Sequence, residues 1–223
     1  MEGIRFNTPC KVLISGPSQS GKSVFTADLL RNADELFTEK VDHILFCYQE
    51  MQELFEELES ELSNITFKKG VPTQSDLYEL SSSKKHTILC LDDLMSESHS
   101  SSFIEHIFCV LSHHLKISVL LINQNTFYQG KNSRTISLQV HYFVLFPNNR
   151  DRTQIKTLAR QISPGQIQGF MEIYNDCVSK PYSYLVIDTA PNSDQKYKFR
   201  TNIIPGKSSP TTSEMYPVVY RIL

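Results

Sequence analysis

A segment of eight residues near the start of the chain has the residue types and spacing of a phosphate-binding loop. Its residues are Gly16-Pro17-Ser18-Gln19-Ser20-Gly21-Lys22-Ser23, which fit the pattern G-x-x-x-x-G-K-S/T throughout. Backbone N–H groups of such a loop surround a triphosphate, and its glycines allow an approach that larger residues would block. Lys22 would contact the β- and γ-phosphates, and the hydroxyl of Ser23 would bind Mg²⁺. The segment therefore predicts a site for a nucleoside triphosphate with Mg²⁺.

The segments on either side of this loop are those that the motif requires. The apolar run Lys11-Val12-Leu13-Ile14 precedes it, and residues 24–30 continue as a helical segment. A chance match to the pattern arises in roughly one chain in a hundred of this length. The strand–loop–helix setting is much more specific, because it directs the positive end of a helix at the phosphates.

Two carboxylates follow another apolar segment. Ile88-Leu89-Cys90-Leu91 leads directly into Asp92 and Asp93. A buried parallel strand that ends in an acid commonly supports the Mg²⁺ of a phosphate-loop enzyme, so Asp92 is predicted to bind the metal, directly or through water. Asp93 is predicted to be the base or the orienting group for an attacking water. The alternative for Asp93 is a cap of the segment that follows it.

Amide side chains end a third apolar segment, at Asn123-Gln124-Asn125. An amide at the end of a strand beside the phosphate loop can contact both the γ-phosphate and the lytic water. Gln124 is the first candidate for this role and Asn125 the second. The alternative is a turn rich in amides, which needs no function.

Apolar segments alternate with segments of helical periodicity along the chain. The strand candidates are nearly continuous in apolar residues and cover residues 10–15, 43–47, 87–91, 117–122, 142–146 and 184–187. Such segments are typical of strands buried on both faces of a parallel sheet. Two helix starts are predicted from a capping box at Ser102-Phe103-Ile104-Glu105 and from the proline of Ser163-Pro164-Gly165-Gln166. Together these patterns predict an α/β domain with a mainly parallel sheet flanked by helices.

Length and composition indicate one domain. The 223 residues suffice for one sizeable core, and we predict a phosphate-loop domain over residues 1–202. Residues 203–223 are rich in Pro, Ser and Thr and are predicted to form a loose tail. The 5 cysteines form no C-x-x-C pair, which favours reduced cysteines in an intracellular protein. No apolar run approaches the roughly 18 residues of a membrane span, so no membrane partner is expected.

The net charge of the chain argues against a broad nucleic-acid-binding surface. The formal net charge is −2, from 22 basic and 24 acidic side chains, whereas a protein that coats DNA is usually basic. Any contact with DNA would therefore be local. Residues 127–134 form a basic, glycine-containing segment after the Gln124 strand, and Lys131 in it is a candidate for phosphate contact.

The order of the motifs resembles that of the genome-packaging ATPases of the FtsK–HerA superfamily. After the phosphate loop come Leu91-Asp92-Asp93-Leu94, then Ile122-Asn123-Gln124-Asn125, then residues 134–160, RTISLQVHYFVLFPNNRDRTQIKTLAR. The last stretch is the most specific. Within the superfamily, the chain most resembles the ATPases of Polinton/Maverick elements, adintoviruses and poxvirus-like DNA viruses. The resemblance covers residues 10–188, and Asp93 stands where many members carry a glutamate.

The resemblance implies a fold and an activity. The fold is a P-loop NTPase of the additional-strand type, in which the Gln124 strand lies between the phosphate-loop strand and the Asp92 strand. The activity is Mg²⁺-dependent ATP hydrolysis that drives translocation of double-stranded DNA, in packaging a viral or Polinton-like genome into a capsid. The protein would act in the nucleus, at a cytoplasmic viral assembly site, or in the virion.

The resemblance also implies partners. The chain would form a homo-oligomeric ring, a hexamer or pentamer, with DNA in the pore and a capsid portal or vertex as a further partner. An arginine of one subunit would reach the γ-phosphate in its neighbour. Arg152 and Arg150 are the preferred candidates, and Arg134 is a third.

Two other functions remain open from the sequence. A nucleotide or small-molecule kinase would use the same phosphate loop, although the adjacent acids and the strand-end glutamine favour water as the acceptor. An ATP-gated assembly protein would bind ATP without pumping. No N-K-x-D element for guanine recognition is present, which argues against a GTPase.

Overall fold

One nine-stranded sheet organises the chain. The computed structural model describes residues 4–81, 85–94, 98–125, 133–150, 152–207 and 217–222, with backbone only at 98–101 and 133–134. The strands are β1 (Lys11–Ser15), β2 (His43–Tyr48), β3 (Ile65–Lys69), β4 (Thr87–Asp92), β5 (Ile117–Asn123), β6 (Tyr142–Leu145), β7 (Leu185–Asp188), β8 (Phe199–Thr201) and β9 (Val218–Tyr220). Their order in the sheet is β3-β2-β4-β5-β1-β6-β7-β8-β9.

The first six strands are parallel, and the last three extend the sheet in antiparallel fashion. β5 lies between β1 and β4, which confirms the additional-strand arrangement. In the register, Ser15 of β1 pairs with Asn123 of β5, and Asp92 of β4 pairs with Ile122. The carboxyl ends of β1, β4 and β5 are therefore level at one edge of the sheet.

Helices cover both faces of the sheet. They are α1 (Lys22–Arg31), α2 (Ala33–Leu36), α3 (Glu53–Glu61), α4 (Gln74–Ser81), α5 (Ser98–His106), α6 (Ser112–His114), α7 (Ser133–Gln139), α8 (Arg152–Ile162) and α9 (Ile167–Cys177). A π-helical turn, Ile107–Leu111, joins α5 to α6, and Gln195–Tyr197 is a 3₁₀ turn. No helix among the described residues is long and apolar enough to cross a membrane.

The sheet separates two apolar cores, because alternate residues of a strand face opposite sides. In β1, Val12 and Ile14 pack with the residues of α1 to α3, whereas Leu13 packs with those of α8 and α9. Strands buried on both faces explain the nearly continuous apolar runs of the sequence. The predicted α/β architecture is confirmed, and each predicted strand lies within a residue or two of its observed bounds.

Two predicted helix starts are wrong. α5 begins at Ser98, so Ser102 lies inside the helix and is not its cap. α9 begins at Ile167, because Gly165 has a φ of +87° that an α-helix does not accommodate. Both motifs are local signals, and the neighbouring backbone overrides them.

The prediction of a loose tail is wrong for the described residues after 202. Ile203 and Ile204 are buried, and Val218–Tyr220 forms β9 against β8. The Ile222 side chain lies so close to Gly169 of α9 that a Cβ added there would be 2.7 Å from Ile222 Cγ2. An open sheet edge offers unpaired backbone groups, which a short β-branched segment can satisfy. Residues 208–216 lie outside the described part.

Candidate functional site

The phosphate loop joins β1 to α1 in a conformation that requires its glycines. Gly21, the N-cap of α1, has a φ of 103°, and its carbonyl oxygen accepts a hydrogen bond of 2.9 Å from the N–H of Phe25. A Cβ at Gly16 would lie 2.6 Å from Cβ of Phe146, which follows β6. Larger residues would therefore distort the loop at both positions.

The ammonium group of Lys22 lies inside the loop. Its Nζ donates hydrogen bonds of 2.7 Å to the carbonyl oxygen of Gly16 and 2.8 Å to that of Pro17. Burial lowers the pKa of Lys22, while the charges of Asp92 and Asp93 oppose this shift. Because the first turn of α1 also leaves N–H groups without partners in the helix, a phosphate here would meet a cation and backbone donors together.

The acidic pair lies opposite the loop. Asp92 is the last residue of β4, and burial, reinforced by the charge of Asp93, raises its pKa to about 6, while Lys22 acts in the opposite direction. Asp93 has a φ of 54°, and its N–H donates to the carbonyl oxygen of Ile122 at 3.1 Å. This left-handed residue, costly for a non-glycine, turns the chain out of β4 while keeping it beside β5.

The strand-end amide contacts this pair directly. Nε2 of Gln124 donates a 2.9 Å hydrogen bond to Oδ2 of Asp93. The backbone N–H of Gln124 donates a second one, also of 2.9 Å, to Oδ1 of Asn123. Asp93 thus belongs to a polar cluster at the sheet edge. Asn125 is exposed and does not line the pocket described next.

One pocket of about 350 Å³ brings these groups together. Its walls come from the phosphate loop, the ends of β4 and β5, and the start of α3: Ser18, Gln19, Lys22, Ser23, Gln52, Asp92, Asp93, Ile122, Asn123 and Gln124. The structure thus joins the residues predicted from three separate motifs. Their chemical roles remain predictions.

The sequence interpretation missed Gln52. It is the N-cap of α3, on the connection that leaves β2. The signal that found Asp92 and Gln124, a polar residue after an apolar parallel strand, also occurs after β2. Several polar residues follow that strand, and the sequence alone does not show which one faces the pocket.

The donor set suits a magnesium ion held partly by substrate. The hydroxyl of Ser23 and the carboxylate of Asp92 line the same pocket. Mg²⁺ takes oxygen ligands and is usually bound through one or two carboxylates together with substrate phosphates. Within the described part of the chain, no group of three or more His, Cys, Asp or Glu side chains could form a cage for a metal by itself.

The candidate arginines lie away from this pocket. Arg150 and Arg152 are exposed after β6, and Nη2 of Arg152 donates a hydrogen bond to Oδ1 of Asn175 in α9. Neither lines the pocket of its own subunit. The side chain of Arg134 and all of Lys131, both predicted from the sequence, lie outside the described residues.

Comparison with known protein families finds no match, and comparison with curated protein sequences finds none either. Solved structures do match. B204, the DNA-packaging ATPase of Sulfolobus Turreted Icosahedral Virus, is 16% identical with a TM-score of 0.54, over 82% of this chain and 94% of that one. B204 of Sulfolobus turreted icosahedral virus 2 in complex with sulfate is 16% identical with a TM-score of 0.51, over 80% and 91%.

A further likeness is to the cytoplasmic domain of the type VII secretion ATPase EccC from Thermomonospora curvata. It is 14% identical with a TM-score of 0.54, and the match covers 80% of this chain but 24% of that one. The chain therefore has a P-loop NTPase fold of the additional-strand type. The likeness agrees, at the level of the fold, with the FtsK–HerA resemblance, and the particular resemblance to Polinton and adintovirus ATPases stays a prediction.

Proposed function

We propose that this chain hydrolyses ATP with Mg²⁺ and uses the free energy to move double-stranded DNA into a capsid. The observation that carries the hydrolytic part is the 2.9 Å hydrogen bond from Gln124 to Asp93 at the edge of the phosphate-loop pocket. It holds a carboxylate and an amide together where the γ-phosphate of a bound nucleotide would end. The fold shared with a DNA-packaging ATPase supports the transport part.

In the proposed reaction, each residue has a separate task. Lys22 and the N–H groups of the loop bind the phosphates, and Ser23 with Asp92 would hold Mg²⁺, which supplies a positive charge to the developing phosphate oxyanions. Asp93 accepts a proton from the attacking water. The oxygen of that water forms a bond to the γ-phosphorus while the bond between the γ-phosphorus and ADP breaks. Gln124 orients both the carboxylate and the water.

Water is favoured over another acceptor by what surrounds Asp93. A kinase binds a second substrate beside the γ-phosphate, whereas the pocket here is lined by the polar side chains of Asp93, Gln124 and Gln52. These polar groups suit a small acceptor that hydrogen-bonds to several of them. Transfer to water is therefore the reaction that the pocket supports best.

We further propose that the chain acts as a homo-oligomeric ring, a hexamer or pentamer, around DNA. Arg150 and Arg152 support this, because they are exposed at the same sheet edge as the phosphate loop but outside the subunit's own pocket. Residues 127–134 would contact DNA in the pore. A capsid portal or vertex as partner, and action in the nucleus, a cytoplasmic assembly site or the virion, belong to the same proposal.

Phosphate release from Mg·ATP by the full chain, with and without linear double-stranded DNA, tests the function. We expect turnover that DNA stimulates and that Lys22→Ala removes. Turnover that requires a small-molecule phosphate acceptor would show a kinase instead. Tight ATP binding with little turnover, whether or not DNA is added, would show an ATP-gated assembly protein.

A further inference from the structure

A second cavity, of about 370 Å³, lies directly beside the phosphate loop. It is lined mainly by apolar and aromatic side chains: Gly21, Val24, Phe25, Asp28, Tyr182, Tyr184, Asn202, Ile204 and Lys207. Its volume is within the usual range for sites of small organic ligands. None of the residues that line the phosphate-loop pocket lines this cavity, although Gly21 of the phosphate loop itself does.

The cavity follows α1 away from the phosphates. Gly21, Val24, Phe25 and Asp28 have helical spacing and lie along one side of α1. Seven residues of helix span about 10 Å. The cavity thus offers room alongside α1 for the remaining part of a ligand whose phosphates bind the loop.

Tyr182 forms an exposed aromatic wall at the end nearest the loop. Its side chain is 65% exposed, and a Cβ added to Gly21 would lie 3.2 Å from its Cδ1. Tyr182 has a φ of 64° in a turn closed by a 3.3 Å hydrogen bond from the N–H of Ser183 to the carbonyl oxygen of Lys180. The third position of such a turn favours glycine or asparagine, so an exposed tyrosine here costs free energy.

The rest of the cavity is fixed by packing. The rings of Phe25 and Tyr184 form its floor, with centroids 4.6 Å apart and an edge-to-face arrangement. The hydroxyl of Tyr184 accepts a 3.0 Å hydrogen bond from the N–H of Ile203. At the far end, Nζ of Lys207 donates to the carboxylate of Asp28. Val24, whose side chain is 53% exposed, adds an open aliphatic surface to the same cavity.

We propose that this cavity binds the base and ribose of the nucleotide, with one face of the base stacked on Tyr182. This inference rests on the proposed nucleotide binding by the phosphate loop. A flat heteroaromatic base suits a cavity that combines an exposed aromatic ring with aliphatic side chains, whereas the phosphates need the polar pocket beside Lys22. The strained turn then serves to present the Tyr182 ring beside the loop.

The test compares two ligands that share phosphates but differ in the base. Calorimetry gives the Kd of Mg·ATP and of inorganic triphosphate with Mg²⁺ for the wild-type chain and for Tyr182→Asn. Asparagine tolerates the left-handed backbone and removes the ring. We expect Tyr182→Asn to weaken ATP binding about 5- to 50-fold, as for loss of a base–aromatic stack, and to change triphosphate binding less than about twofold.

Two further variants are matched controls. Tyr182→Phe keeps the ring and should bind ATP as the wild-type chain does. Tyr78→Asn removes a comparably exposed tyrosine from α4, away from both pockets, and should also bind ATP normally.

The outcomes separate this inference from the proposed function. If the wild-type chain binds both ligands and Tyr182→Asn binds ATP equally well, the base does not lie on Tyr182. Equal weakening of both ligands would also overturn the inference, because Tyr182 would then act on the phosphate loop itself. A wild-type chain that binds neither ligand overturns the nucleotide site, and the inference with it.

Discussion

The same three strands, β1, β4 and β5, carry polar clusters at both of their ends, and the two clusters are built in opposite ways. At the carboxyl ends, Asp92 and Asp93 face an open pocket together with Lys22. At the amino ends, Oγ of Ser118 accepts a 3.0 Å hydrogen bond from the N–H of Cys10 and lies 2.7 Å from Nε2 of His86.

The amino-end cluster combines serine, histidine and cysteine, residue types that suggest chemistry when they lie together. Its environment opposes that interpretation. Burial raises the pKa of Cys10 to about 12 and lowers the pKa of His86, so both side chains stay neutral near pH 7. All three residues are buried, and Cys10 and His86 each form a hydrogen bond with Ser118. A polar cluster can act on a ligand only where its groups face a cavity, whereas a buried cluster such as that of Ser118 stabilises the fold.

Removing the lysine of the loop should have the largest effect. Lys22→Ala is expected to abolish ATP binding and turnover while the fold remains intact, because the phosphates lose their direct cation. Lys11→Met is the matched control. It removes a lysine at the amino end of β1, the strand that leads into the loop, where Nζ donates to Oε1 of Gln139 at 3.3 Å, and it keeps the buried stem. Normal hydrolysis by folded Lys22→Ala would contradict the phosphate-loop assignment.

The ring hypothesis extends the carboxyl-end site to a neighbouring subunit. Arg152→Ala, or Arg150→Ala if that residue is the finger, should bind ATP normally and hydrolyse it about 10³- to 10⁵-fold more slowly. Mixing the arginine variant with Asp93→Asn subunits should restore part of the phosphate release. Some interfaces then pair an intact arginine with an intact acid. If both arginine variants hydrolyse normally, or no mixture that exchanges subunits regains activity, the site is not shared in this way.

The acid that contacts Gln124 should affect turnover and not binding. Asp93→Asn is expected to keep the Kd of Mg·ATP and to slow hydrolysis about 10²- to 10⁴-fold, because the amide does not accept the proton of water. Binding by calorimetry and phosphate release by a coupled assay separate the two. Unchanged turnover would make Asp93 a cap of the following segment and would leave Gln124 as the candidate group that orients the water.

A change in the amino-end cluster should lower the stability of the fold and leave hydrolysis unchanged, and this effect should be smaller than those above. Ser118→Ala leaves the N–H of Cys10 and Nε2 of His86 without their shared partner, which costs about 1–3 kcal/mol of stability. A urea titration should show the lower midpoint, and phosphate release per folded molecule should be unchanged. A stable Ser118→Ala protein with impaired hydrolysis would show instead that the amino-end cluster contributes to catalysis.

Much of the site could be predicted because its signals are local. The phosphate loop, Asp92 with Asp93, and Gln124 each follow an apolar run directly, and a strand buried on both faces has an unmistakable composition. Gln52, Tyr182 and the cavity beside α1 could not be predicted in this way. They belong to connections whose sequences show no period, and only the packing of distant segments places Gln52 in the phosphate-loop pocket and Tyr182 beside Gly21.

Six of the nine described strands, and the polar residues after β1, β4 and β5, could be identified from the sequence, since side-chain periodicity and glycine torsions depend on neighbours within a few positions. Apart from the position of β5 between β1 and β4, which the family resemblance implied, only the folded structure shows which strands are adjacent, that β8 and β9 complete the sheet, and which polar groups face a cavity. Those facts depend on backbone pairing between distant segments, such as Phe199 with Tyr220. For the same reason no local pattern predicts the buried cluster of Ser118, His86 and Cys10, which are far apart in the chain.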